Sequence, residues 1–365
     1  SSSSSLPPPP LPPSLLPNMS LSFHLPPQFR SKCNDHSFGL PGMLCLMGME
    51  KEQYDDAPVE IYGPEGLRMF LRTIIRYTLS RIVPKYRVHE ICGIPSYHKK
   101  RGQPPPMASE AAMPLDTRFN EVEGGQNLYP DENGSWTLVE EGEMKVQAAP
   151  MVHTVPCVGF VITEKDKPGR LRAEYVRPIV ERNKEGLLQQ GLSDPNKIFR
   201  LLKTLKHGEA VNLPDGTMLR AEDVMEGPKK GRKIVICGDT SDASGIAELA
   251  RDCDVLVHEA TNAFLLPFDK GTYMDVERFA RAHGHSTPQM AGHFAQRVGA
   301  KRLVMTHFSP RYKGDLSPES LAIMKRLEDM ARKTSKLKAD QVLAAHDLML
   351  VPVPSPHKMA VVGLG

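Results

Sequence analysis

The chain has 365 residues, of which 40% are hydrophobic and 24% charged, and its formal net charge is +3 at pH 7. This is the balance of an ordinary globular protein, long enough for one large domain or two smaller ones. It excludes nucleic-acid binding through bulk charge, so any polyanion site has to be a local patch.

Residues 1–33 open with SSSSSLPPPPLPPSLLPN, a low-complexity text that cannot bury a core and reads as disordered or mis-joined sequence. It has neither the apolar core of a secretion signal nor the Arg-rich amphipathic character of a transit peptide. No later run approaches the roughly 18 apolar residues of a membrane span. The six cysteines (Cys33, Cys45, Cys92, Cys157, Cys237 and Cys253) form no CxxC pair. That spacing fits reduced thiols inside a cell, in cytoplasm, nucleus or an organelle.

From Cys33 the texture becomes that of an α/β protein. PVEIY (58–62) reads as a strand, and the apolar spacing from Leu67 to Val83 predicts a helix. KYRVHEI (85–91) is a strand, and residues 93–134, with HKKRG at 98–102, form a polar insertion. WTLVEE and MKVQAAPM make a hairpin around Glu141-Gly142, and VGFVITE (158–164) adds a strand. A long charged excursion follows, at about 164–216, with weak patterning toward any core face. A connection of that length is more often functional than idle, and it reads as a projecting arm. Strands and helices then alternate: KIVICGD (233–239), DASGIAELARD (242–252), DVLVHEA (254–260), YMDVERFARAH (273–283) and TPQMAGHFAQRV (287–298), the last with Thr287 as a cap. RLVMTHF (302–308), SPESLAIMKRLEDMARKT (317–334) and QVLAAHDLMLVPV (341–353) complete a domain spanning 34–354. Residues 355–365 are a tail.

Metal-capable residues fall at the ends of these strands, where α/β folds place their sites. Asp239 ends KIVICGD, His258 and Glu259 end DVLVHEA, and His307 ends RLVMTHF. Asp35-His36, His153 and His283-Gly-His285 add to them. One strand-end histidine is usually structural. Several on consecutive strands, with an aspartate, suit zinc or a similar divalent ion.

NDHSFGLPGML (34–44), CGDT (237–240), HEAT (258–261), AHGHSTPQMA (282–291) and LVMTHFSPRY (303–312) together resemble the motif set of the tRNase Z family, in the family's order. The resemblance implies an αββα metallo-β-lactamase sandwich with a projecting arm and two zinc ions. It also implies hydrolysis of a phosphodiester in precursor tRNA, leaving a 3′-hydroxyl. Carried over by motif, His153 binds the first metal and Asp239 bridges both. Asp35, His36 and His307 complete the second site, and Asp35 counts also among the catalytic groups. His285 is the proton donor, and Glu259 either orients it or only supports the ligands from behind. Two metals about 4 Å apart can clamp the attacking and leaving oxygens. His283 and His293 read as helix surface. In the arm, Arg170, Arg172, Lys197, Arg200, Lys203 and Lys206 are the expected phosphate contacts. The resemblance further implies a homodimer, with no DNA and no membrane among its partners.

The chain departs from the family where the metal loop HxHxDH is expected. It reads Ser31-Lys32-Cys33-Asn34-Asp35-His36, so two histidines are replaced and the first zinc site is incomplete. The match begins abruptly near Asn34, which reads as a wrong exon join or untranslated sequence read as protein, and the family's upstream strands are replaced too. Cys33 could supply a thiolate, since zinc accepts sulfur. The arm tip carries Gly191-Leu-Ser-Asp-Pro195 in place of a Gly-Pro-rich stretch. Three readings stay open: a tRNA 3′ endonuclease impaired as written, a hydrolase of another phosphodiester or small ester, and a non-catalytic RNA- or partner-binding protein.

Overall fold

In a computed structural model, the structure describes residues 37–49, 57–97, 113–140, 142–167, 169–192, 194, 196–313, 315 and 317–353. Two compact units emerge along the chain. The first takes in the described residues up to Glu140, then Val146–Ile162 and Lys233–Pro354, and the second Glu141–Lys145 and Thr163–Arg232.

The first unit is layered. Helices α1 (Gly39–Met49) and α2 (Leu67–Tyr77) cover one face of a sheet made of β1 (Val59–Pro64), β2 (Tyr86–Ile91) and β3 (Asn127–Leu128). Successive strand residues face opposite sides, so Val59, Ile61, Tyr86 and Val88 pack under the helices. Tyr62 and Ile91 face the other way, into a cluster with Trp136, Leu138, Val158 and Phe160. These last residues belong to β4 (Trp136–Val139) and β6 (Cys157–Glu164). Together with β5 (Met144–Met151) and four later strands, they form a sheet with seven strands among the described residues.

The far face of this larger sheet packs on helices. The later strands are β9 (Lys233–Ile236), β10 (Val255–Glu259), β11 (Leu303–Thr306) and β12 (Val342–Ala344), and β9–β12 run parallel. Val235, Leu256, Leu303 and Met305 meet Ala291, Phe294 and Ala295 of the helix Pro288–Val298 and Leu327 and Ala331 of the helix Pro318–Ser335. Helix, sheet, sheet and helix is the expected αββα order.

Local expectations differ in length more than in kind. The helix from Leu67 ends at Tyr77, and Leu79 takes φ 49, a left-handed turn that stops it well short of Val83. The 242–252 helix shrinks to a 3₁₀ turn, Ser244–Ile246, and a single turn, Ala247–Ala250. Asp242 is what holds it back: its carboxylate accepts the Ser244 N–H at 2.8 Å, a local turn that competes with helix. The hairpin at Gly142 and the Thr287 cap form as expected.

The second unit corrects the reading of weak patterning. It contains helices Ala173–Arg182, Lys184–Gln189 and Lys197–Leu202 and a hairpin of β7 (Ala210–Asn212) and β8 (Met218–Arg220). Val176, Val180, Leu187, Ile198, Leu202, Leu213, Leu219 and Val224 bury a core of their own. Its helices are too short for one stripe to show in sequence, because each gives the core only one or two residues. At its base, Lys167 and Lys229 exchange both backbone hydrogen bonds, and Arg232 pairs with Glu164. Among the described residues, no helix is long and apolar enough to cross a membrane.

Candidate metal centre

The site stands beyond the carboxyl ends of the parallel strands. Glu259 is the last residue of β10, His307 follows β11, and Asp239 lies three residues past β9. His153 follows β5, and His285 sits in the loop before the helix Pro288–Val298. His307 adopts φ 56, so the chain turns sharply as the strand ends. All five belong to the first unit.

Their ligand atoms converge. His153, Asp239 and His285 each place one within 4.8 Å of the others, as do Glu259, His285 and His307. Asp239 Oδ2 lies 3.9 Å from His153 Nε2 and 3.6 Å from His307 Nε2. Those gaps exceed hydrogen-bond length. They suit groups that share a cation, whose own bonds to nitrogen and oxygen run to about 2.0–2.2 Å. Two imidazoles facing one carboxylate are also the donor chemistry of zinc. The residues present therefore fit a divalent metal.

Each histidine is fixed by its other nitrogen. His153 Nδ1–H donates to the Gly284 carbonyl at 2.8 Å, so Nε2 carries the lone pair that a cation could take. Burial pushes the His153 imidazole below the usual histidine range, against the pull of that carbonyl and of Asp239. It is then neutral, as ligation requires. Gly284 has φ +79, and a Cβ there would lie 2.6 Å from His153 Nδ1 and 2.9 Å from the Thr154 backbone nitrogen. Only glycine lets this carbonyl come so close.

Glu259 is the hub. It is 1% exposed, and its Oε1 accepts His285 Nδ1–H at 3.0 Å and the Thr240 backbone N–H at 2.8 Å. Burial pushes its carboxyl up, yet the hydrogen bonds and charge of His285, with Thr261 and Thr240, outweigh that and hold it below the ordinary range. The carboxylate is thus ionised and can hold a protonated His285.

Not every expected residue joins. His258 is buried, but it turns the other way, with Nδ1 on the Glu259 carbonyl at 2.7 Å and its ring against Phe294. His283 and His293 are exposed, as expected of helix surface. Ser31, Cys33, Asp35 and His36 lie outside the described residues. In the second unit, Arg170, Arg172, Lys197, Arg200, Lys203 and Lys206 are all exposed at the surface. Four residues gained no role from sequence: Thr240, Thr261, Gly284 and Ser286, whose Oγ donates to the Thr240 carbonyl at 2.6 Å. All four sit inside the motifs that carry the resemblance, beside the titratable residues that stand out by their chemistry.

No protein-family model matches the chain. Among curated proteins, it is 34% identical to zinc phosphodiesterase ELAC protein 1 of Bos taurus over 331 residues, covering 88% of this chain and 81% of that protein. It is 31% identical to ribonuclease Z of Bacillus velezensis over 287 residues, covering 79% and 70%. Among solved structures, it is similar to the short form of human tRNase Z (ELAC1), with 27% identity, a TM-score of 0.50, and 89% and 78% of the two chains covered.

Proposed function

This chain belongs to the ribonuclease Z family, and we propose that its metal loop, with Ser31 and Cys33 where the family pattern has histidines, lowers the activity its fold supports. The protein is a metal-dependent endoribonuclease that removes 3′ trailers from precursor tRNA by phosphodiester hydrolysis. The observation that carries this reading is the pair of overlapping clusters, His153 with Asp239 and His285, and Glu259 with His285 and His307.

Asp239 and His307, with Asp35 and His36, would hold one zinc. His153 and Asp239 are what remain of the other site. When bound, zinc polarises the phosphate and makes a hydroxide nucleophile available near neutral pH. The protein's own part is to place acid and charge. Glu259 keeps His285 oriented and favours its protonated form, so the ring nitrogen that does not face Glu259 can give its proton to the departing 3′ oxygen. Asp239, 1% exposed between two imidazoles, fixes the charge balance against which the phosphate docks. The second unit presents Arg170, Arg172, Lys197, Arg200, Lys203 and Lys206 to the tRNA backbone, gripping by shape and charge. A homodimer is part of this reading, since Leu46, Met49, Tyr77 and Leu79 expose apolar surface.

The test is a 3′-processing assay on extended precursor tRNA with zinc or manganese supplied, beside elemental analysis. The chain should hold about one zinc ion firmly and cleave slowly. Restoring histidines at Ser31 and Cys33, together with the family's N-terminal strands, should raise cleavage by about 10²–10³-fold. A restored protein that binds two metals and leaves the RNA uncut would move the assignment to a non-catalytic RNA-binding protein. Two tightly held zinc ions in the unaltered chain would point to Cys33 as a ligand.

A further inference from the structure

His307 and His285 both lead to Glu259, the second directly and the first through one hydroxyl. Thr261 Oγ1 is hydrogen-bonded to Glu259 Oε2, lies 2.9 Å from His307 Nδ1, and is 2.9 Å from the His307 carbonyl oxygen. A threonine hydroxyl has a single proton. Were it given to the His307 carbonyl, Oγ1 and Glu259 Oε2, itself an acceptor of the Thr261 N–H, would face each other at close range with no proton between them. The proton therefore goes to Glu259, and the lone pairs of Oγ1 accept Nδ1–H from His307. That arrangement settles the tautomer: Nδ1 carries hydrogen, and Nε2 offers its lone pair toward Asp239 Oδ2, 3.6 Å away. The backbone supports it, because the Thr261 N–H also reaches Glu259 Oε2, at 3.3 Å, and the Ser309 N–H holds the Thr261 carbonyl at 3.0 Å.

We propose that Thr261 is a positioning residue for the metal site: its hydroxyl fixes the ring of His307 as a ligand and ties it to the carboxylate that orients His285. The inference rests on the reading of His307 as a ligand, and its test needs no RNA. Thr261→Val keeps the side chain's shape and removes the hydroxyl, and Thr261→Ser keeps the hydroxyl and removes the methyl group. Zinc affinity of the full chain is measured by competition with a chelator, and the visible spectrum of the cobalt-substituted protein reports ligand geometry. Thr261→Val should weaken zinc by about 10- to 100-fold, the usual effect of losing a partner behind a metal-bound histidine, and should alter the cobalt spectrum. Thr261→Ser should restore both, which a role in packing alone would not produce. If the valine protein does not fold, Thr261→Ala carries the same comparison. Unchanged zinc affinity in the hydroxyl-free variant, or serine as weak as valine, overturns the proposal while leaving the metal centre standing. An unaltered chain that binds no zinc overturns the metal centre and this inference together.

Discussion

The loops that follow β9, β10 and β11 and the segment Thr163–Arg232 draw on similar polar residues and put them to opposite use. In the loops the polar groups are inside. Asp239 and Glu259 are 1% exposed, and Glu259 accepts the Thr240 backbone N–H; His153, just past β5, is 2% exposed and donates to the Gly284 carbonyl. In the second unit the interior is apolar, from Val176 to Val224, and the six candidate RNA-binding cations all reach the surface. Bond cleavage requires groups at fixed positions, and only burial with mutual hydrogen bonding fixes them. Gripping a polyphosphate requires accessible charge, and many arrangements serve. The first region should therefore fail at single residues and the second only by accumulation.

The sharpest way to break that comparison is His285→Ala in the histidine-restored protein. The substitution removes the proton donor and takes from Glu259 its imidazole partner. Cleavage of precursor tRNA should fall by about 10²–10⁴-fold, and tRNA affinity measured without metal should stay close to that of the parent. An equal fall in affinity would mean that His285 holds RNA and not a proton in flight.

The same contrast governs what could be read from sequence. The site was legible because its chemistry is packed into short strings: HEAT and CGDT each place a titratable residue where a parallel strand must stop, and GHST places one in the loop that leads into a helix. What those strings do not show is who supports whom. Thr261 and Gly284 act through a hydroxyl and a carbonyl, groups with no titration and no distinctive spacing. His258 looked as good as Glu259, yet one residue of register sends its side chain to the other face of β10. The core of the second unit was hidden for a different reason. It is assembled from four helices of ten residues or fewer and a hairpin of three-residue strands, so no stretch was long enough to display a period.

The second prediction separates the two regions physically. Lys167 and Lys229 exchange both backbone hydrogen bonds at 2.9 and 2.8 Å, so the stem already has the geometry of a hairpin pair. Replacing residues 168–228 by Asn-Gly should close it with a tight turn. It removes Val176, Leu202, Leu219 and Val224 together and strands no half of their core. Binding of tRNA should then weaken, with a salt dependence flatter by about 0.9 for each phosphate that the protein no longer neutralises. Hydrolysis of a small phosphodiester should stay within about twofold. Equal loss on both substrates would show that the second unit supports the catalytic fold.

The smallest effect is also the one that tests accumulation directly. Lys203 caps the helix Lys197–Leu202 and lines one groove with Arg170, Phe199 and Met225. It is exposed, so Lys203→Ala should cost the fold little. If it touches a single phosphate, tRNA affinity should drop only a few-fold at moderate salt, and the log–log salt slope should shrink by about 0.7–0.9. Adding Arg170→Ala across the groove should deepen both losses by a similar amount, because two surface charges that meet separate phosphates act nearly independently. Binding isotherms at four or five salt concentrations decide the matter. A loss that does not vary with salt would assign the groove to apolar or stacking contacts through Phe199. A loss from Lys203→Ala as large as that of the whole-segment replacement would remove the contrast itself, since the second region would then also depend on one residue.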